Sequence, residues 1–134
     1  MNSRDRRLRS ALLLGLLVLS LAVTASAQED RAQPRPAGER VAVDPVRVDV
    51  GDGDTVTIRW PGGDDERVRI LGIDTPEIAH PQYGMPFDQP FGRQATAFAT
   101  GVFAVADTVE LLRAAETDPY GRTLGYLFVD GRNY

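Results

Sequence analysis

Acidic residues stand at both ends of one stretch of this chain, Gly51 to Glu77, whose middle is turn chemistry. Asp52 and Asp54 precede Thr55–Trp60, and Asp74, Thr75 and Glu77 follow Arg67–Ile73; both inner segments are rich in Val, Ile, Thr and Trp, and Pro61-Gly62-Gly63-Asp64-Asp65-Glu66 lies between them. That pattern predicts a β-hairpin. With the turn centred between Gly63 and Asp64, Asp54 falls beside Ile73 or Asp74, roughly 5 Å away between Cβ atoms. Two carboxylates at that separation repel, and a cation held by oxygen ligands would remove the cost, with Thr75 and Glu77 one short turn away.

What the chain lacks narrows the chemistry. It has no Cys and no Lys, no Ser beyond residue 26, and one His, His80. Thiol and serine nucleophiles, Schiff bases, Cys/His zinc sites and two-histidine phosphodiester chemistry are thereby excluded. Carboxylates, Arg, Thr and Tyr remain, and the loop position of His80 gives it no expected catalytic part. The spacing of Asp49, Asp52 and Asp54 does not fit an EF-hand, whose later Gly and Glu are missing.

These residues need a scaffold. Val41, Val43, Val46, Val48 and Val50 alternate with polar residues and predict a first strand, broken at Asp44-Pro45. The hairpin follows, and residues 74–90, with four prolines, predict a long surface loop. Ala95, Phe98, Ala99, Val102, Phe103 and Ala106 mark one face of a helix starting near Gly92, with both Phe side chains expected in the core. Thr108–Leu112 and Thr123–Val129 read as two more strands around an Asp118-Pro119-Tyr120-Gly121 turn, and Asp130-Gly131 as a turn with no partner strand to follow. Arg67 and Arg113 are expected to be solvated. The order β-β-β-α-β-β, mainly β with one helix (α+β), is the plan of a five-stranded OB-fold barrel.

The N-terminus carries Arg4, Arg6, Arg7 and Arg9, an apolar run from Ala11 to Val23, and Ala25-Ser26-Ala27, the pattern of a secretory signal peptide over 1–27. An uncleaved anchor is the alternative. Residues 28–40 read as a flexible linker and 41–134 as the domain. Without residues 1–27 the chain holds 11 basic and 18 acidic residues, net −7, which argues against holding nucleic acid by bulk charge. An exported domain without disulfides must rely on its core.

Asp52-Gly53-Asp54-Thr55-Val56, Arg69-Ile70-Leu71-Gly72-Ile73-Asp74-Thr75-Pro76-Glu77, His80-Pro81 and Asp118-Pro119-Tyr120-Gly121-Arg122 resemble, in order and spacing, the motifs of the staphylococcal-nuclease-like (thermonuclease) family, over about residues 41–134. The resemblance implies an OB-fold, secreted, Ca²⁺-dependent nuclease that cuts DNA or RNA and leaves 3′-phosphates. It implies Ca²⁺ on Asp54, Asp74 and the Thr75 carbonyl, Glu77 orienting or deprotonating the attacking water, Arg69 and Arg122 clamping the phosphate, and Tyr120 contacting a nucleotide phosphate. The two arginines are expected to make the local field positive. A monomer is expected, with no stable membrane association once the signal segment is cleaved.

Each residue has a structural alternative: Asp54 a solvated strand start, Asp74 a turn cap, Glu77 a surface acid, Arg69 an edge residue with an apolar stem, Arg122 a surface charge after a turn. Pro119 stands where the family often has a basic residue, which lowers the expected substrate affinity. The family's two helices after the fifth strand have no counterpart after Tyr134, so a C-terminally truncated, marginally stable domain is expected. The competing functional readings are a catalytically inactive OB module that binds nucleic acid or a protein partner, and a calcium-binding structural domain, which would not need the arginines.

Overall fold

A computed structural model describes residues 32–134; the expected signal peptide, 1–27, lies outside the described residues. The described residues form seven strands and one α-helix: β1 (Arg40–Val43), β2 (Val48–Val50), β3 (Thr55–Arg59), β4 (Asp65–Ile70), α1 (Gly92–Ala104), β5 (Val109–Thr117), β6 (Thr123–Val129) and β7 (Arg132–Asn133). The sheet order is β1-β5-β6-β4-β3-β2, antiparallel except for the parallel pair β4 and β6. The first and last strands of that order are two pieces of one bent segment. Asp44 accepts a hydrogen bond from Val46 N, Pro45–Arg47 forms a 3₁₀ turn, and the chain changes partner from β5 to β3. The sheet thus curls back on itself as the OB plan requires, with the expected break at Asp44-Pro45 serving as its corner.

Alternation along the strands builds the core. Val56 and Ile58 of β3, Val68 and Ile70 of β4, Val109 and Leu111 of β5 and Leu127 of β6 point inward, with Val43 and Phe103 of α1 completing the cluster. Ala99 is buried one turn before Phe103. Phe98 departs from expectation: it is 67% exposed and stacks on Tyr134 at 6.4 Å between ring centroids. At i−5 from Phe103 it has rotated off the buried stripe.

Further local expectations differ from the structure. The β3–β4 pairing joins Thr55 to Arg69 and Arg59 to Asp65, so the turn centres on Gly62, and Asp54 O accepts from Ile70 N (2.8 Å) where Ile73 or Asp74 was expected opposite. Asp130-Gly131, with φ of 49° and 77°, is a tight turn whose return strand β7 pairs with β6. Arg113, expected in solvent, is buried against Glu66. Residues 32–39, part of the expected spacer, lie along the sheet: Gln33 N and Gly38 N donate to the carbonyls of Ala115 and Arg113, and Arg113 Nη1 donates to Pro36 O (3.2 Å).

Candidate functional site

Asp54 closes the turn between β2 and β3 and is fully buried, yet its carboxylate is richly partnered. Its Oδ2 accepts from the backbone N (2.7 Å) and hydroxyl (3.0 Å) of Thr75, and its Oδ1 from the Thr55 hydroxyl (3.1 Å). Arg69 Nη2 sits 3.3 Å from the same Oδ2. Gly53 is what allows the loop after Ile73 to come this close. A Cβ there would lie 2.6 Å from Thr75 Oγ1 and 2.9 Å from Ala95 Cβ, so the turn, the loop and the helix meet only over a glycine.

Arg69 projects from β4. Its Nη1 donates to the carbonyls of Ile70 and Ile73, both at 2.9 Å, and its Nη2 to Asp74 Oδ1 at 2.8 Å. The cation between Asp54 and Asp74 is therefore a guanidinium of the chain itself. Asp74 is 90% exposed at the side chain, so an incoming anion could displace it at little cost in buried contacts.

Arg122 comes from the β5–β6 turn. Asp118 organises that turn, accepting from Tyr120 N (2.9 Å) and Arg122 N (2.8 Å) on Oδ1 and from Arg122 Nε (2.6 Å) on Oδ2. Burial pushes the Asp118 carboxyl up, but the Arg122 side-chain and backbone bonds outweigh it and hold the group below the usual carboxylate range. Arg122 Nη1 then reaches Thr55 Oγ1 at 3.4 Å. Both arginines are thus tied to Asp54, one directly and one through the Thr55 hydroxyl. Tyr120 stands 82% exposed on the same turn, with Arg122 5.6 Å from its ring centroid.

Glu77 lies where the loop passes α1. Gly92 faces its carbonyl so closely that a Cβ would come within 2.3 Å of Glu77 O, and Gln89 brackets it, its side chain accepting from Glu77 N and its own N donating to Glu77 O (2.8 Å). Burial raises the proton affinity of Glu77, and repulsion from Asp52 and Asp54 raises it further, while His80 and Arg69 pull the other way. Asp52, buried two residues before Asp54, is raised for the same leading reason. Asp52, Glu77 and His80 bring ligand atoms within 4.8 Å of one another.

Arg69, Arg122, Asp54 and Thr75 are thus brought together, with Glu77 close enough to the aspartates to be repelled by them, whereas Asp74 turns outward to Arg69. The site draws in Asp52, Thr55, His80 and Asp118, to which the sequence analysis gave no role in the site. Asp52 and His80 were visible as Asp-Gly-Asp and as Glu77 plus three. The positive local field expected from the two arginines is corrected: each is matched by carboxylates, Arg69 by Asp54 and Asp74, Arg122 by Asp118.

The staphylococcal nuclease homologue family model matches residues 67–134, just over half of the chain. The chain is 42% identical over 79 residues to the thermonuclease of Staphylococcus intermedius, covering 58% of this chain and 44% of that protein. It is 32% identical over 78 residues to the thermonuclease of Staphylococcus hyicus, with the same coverage of each. With the SPbeta prophage-derived endonuclease YokF of Bacillus subtilis the identity is 35% over 83 residues, 61% of this chain and 27% of that protein. The chain spans less than half the length of these relatives. The matched region runs from the strand that carries Arg69, through the Asp74 to Glu77 loop and the Asp118 to Arg122 turn, to β7, and the chain belongs to the staphylococcal nuclease homologue family.

Proposed function

We propose that this chain is an extracytoplasmic nuclease that hydrolyses phosphodiester bonds of DNA or RNA with the help of bound Ca²⁺ and leaves 3′-phosphates. The observation that carries the reading is the convergence of Arg69 and Arg122, from β4 and the β5–β6 turn, on the buried carboxylate of Asp54. A structural calcium site needs no such pair. The thermonuclease and endonuclease relatives support the same reaction class.

The donor set fits a hard divalent ion. Asp52 and Asp54, buried, and Glu77, half-buried, offer oxygen ligands close enough to repel one another, and burial together with that repulsion raises the proton affinities of Asp52 and Glu77, a cost that a positive charge would offset. Asp54, Asp74 and the Thr75 carbonyl are the proposed ligands, with Asp52 beside them. Bound there, the ion would neutralise charge on the phosphate oxygens.

The chain's own residues supply the rest. Glu77 accepts the proton of the attacking water, and burial raises its proton affinity above that of a free carboxylate, which strengthens it as a base. Attack on phosphorus places charge on the equatorial oxygens, toward which Arg122 can turn its Nη2 donors, free of protein partners among the described residues. Arg69 joins by exchanging the exposed Asp74 for phosphate. The bond to the 5′ oxygen breaks, that oxygen takes a proton from solvent water and leaves as a 5′-hydroxyl, and the phosphate stays on the 3′ side.

The test is cleavage of single-stranded DNA by the chain with Ca²⁺ and with EDTA, beside Glu77→Gln. Cutting that EDTA abolishes and the substitution reduces at least about 100-fold supports the proposal. A chain that is folded by circular dichroism and does not cut would instead be a non-catalytic binding module.

A further inference from the structure

We infer that the loop beyond Glu77 is a nucleobase-binding subsite, in which Tyr83 and Phe87 stack on unpaired bases flanking the cleaved phosphate. The inference rests on the nuclease reading above and assigns its substrate as an unstacked single strand.

Tyr83 and Phe87 are 66% and 81% exposed. Such rings in water are expected to be mobile, yet these are carried on a stitched frame. Gln89 pairs with Glu77 through N–H···O bonds in both directions, Asp88 Oδ1 accepts from Ala79 N (2.8 Å), and Arg93 braces Asp88. His80 and Met85 exchange backbone bonds of 2.7 and 3.2 Å around the Pro81–Tyr83 3₁₀ turn. The loop is therefore a hairpin rooted on Glu77, and Pro81, Pro86 and Pro90 restrict it further. A rigid aromatic platform loses little entropy when it captures a planar ligand.

Its placement selects the ligand. The Tyr83 ring lies 6.1 Å from the His80 ring, and His80 brings a ligand atom within 4.8 Å of Glu77 and Asp52, so the His80 ring alone stands between Tyr83 and the proposed base. The tip, Pro81 to Phe87, holds no charged residue. A membrane anchor at an anionic surface would need Lys or Arg beside its aromatics. An uncharged aromatic tip on the loop that carries Glu77 matches a nucleotide strand, with its phosphates drawn to Arg69 and Arg122 and its bases to the rings. Bases in a duplex are already stacked and offer no free face.

The experiment compares kcat/KM with Ca²⁺ for a single-stranded thymidylate 12-mer, an abasic 12-mer of the same backbone, and a duplex. The chain, Tyr83→Ala, Phe87→Ala and Tyr83→Phe are assayed, with circular dichroism melts to confirm folding. Each alanine variant should lose roughly 5- to 150-fold on the thymidylate strand and less than about twofold on the abasic strand. Tyr83→Phe should retain the activity, and the salt dependence should not change, because no phosphate contact is lost. Alanine variants within twofold of the parent on thymidylate, or equally impaired on the abasic strand, overturn the inference and leave the nuclease reading intact. A parent chain that cuts no strand overturns both. Binding to phosphatidylglycerol vesicles that depends on the two rings, without a base effect in cleavage, assigns the loop to membranes and overturns the inference.

Discussion

Replacing Arg113 with Met should destabilise the domain more at neutral than at acid pH. Arg113 and Glu66 are both buried, and their side chains pair through Nε to Oε1 at 2.7 Å and Nη2 to Oε2 at 2.8 Å. Thr123 Oγ1 and Trp60 Nε1 donate the other two bonds to the carboxylate, each at 2.7 Å. Burial alone would raise the Glu66 pKa, but bonds from Arg113, Thr123 and Trp60 outweigh it and the net shift is downward. Native Glu66 therefore contributes stability above its unfolded pKa, and loses it as pH falls through the folded one. Met at 113 preserves bulk and leaves the carboxylate buried with two donors and with Arg35 Nε 3.6 Å from its Oε2. Because Arg35 still faces it, the cost at neutral pH lies at the low end of that for breaking a buried pair, about 3 kcal/mol, or a drop in Tm of about 12 °C for a domain near 100 residues. Loss of the Arg113 bonds removes the largest of the effects that hold the Glu66 pKa down, so the carboxylate takes up a proton at higher pH than in the parent and the penalty shrinks as pH falls. Urea denaturation at pH 4.5 and 7.5 measures this. The double change Glu66→Leu/Arg113→Met should recover part of the loss. A penalty below about 1 kcal/mol at pH 7.5, or equal penalties at both pH values, would refute the reasoning.

Three further outcomes are expected. Asp118→Asn keeps the shape but turns an amide donor toward Arg122 Nε, and should lower kcat/KM about 10- to 100-fold while costing about 1.5–3 kcal/mol in a denaturant melt. Gly92→Ala puts a methyl 2.3 Å from Glu77 O, so backbone must shift; activity should fall with an overpacking cost of about 1–3 kcal/mol, read by kinetics and thermal melts. Phe91 holds φ at 71° and is exposed, so Phe91→Gly should raise stability by up to about 1 kcal/mol in the same melts.

The parts legible in the sequence were those with a local cause. The corner at Asp44-Pro45, the start of α1 at Gly92 and the β6 strand follow from proline, from a change of period and from alternation. The buried network was missed because it depends on strand phase carried past the apolar run. Glu66 precedes Val68 and Ile70 by even steps, and Arg113 follows Val109 and Leu111 by even steps, so both face inward. Ending β5 at Leu112 and starting β4 at Arg67 left these two residues in loops. The hairpin register was displaced because Gly62-Gly63 and Asp64-Asp65 both offer turn residues. The convergence on Asp54 survived that error because the positive φ of Gly72 redirects the chain after β4 and brings Thr75 back to Asp54 whatever the register expected for the turn.

The site's charge makes metal dependence a requirement of the proposed function. Arg69 and Arg122 stand against Asp52, Asp54, Asp74, Glu77 and Asp118, a formal balance of −3 around a place meant for a phosphodiester anion. Burial and repulsion already raise the proton affinities of Asp52 and Glu77, so the group is short of positive charge before any substrate arrives. A divalent ion brings the balance to about −1, and releasing Asp74 from Arg69 frees a guanidinium for the phosphate. Oligonucleotide binding to a Glu77→Gln chain, followed by fluorescence anisotropy, should therefore still require Ca²⁺ although the base is gone. Asp52→Asn should raise the Ca²⁺ concentration needed and weaken that requirement, because removing one carboxylate removes part of the repulsion the ion offsets. Binding by the Glu77→Gln chain that is indifferent to EDTA would mean that the arginines alone overcome the acidic site, contrary to this charge balance.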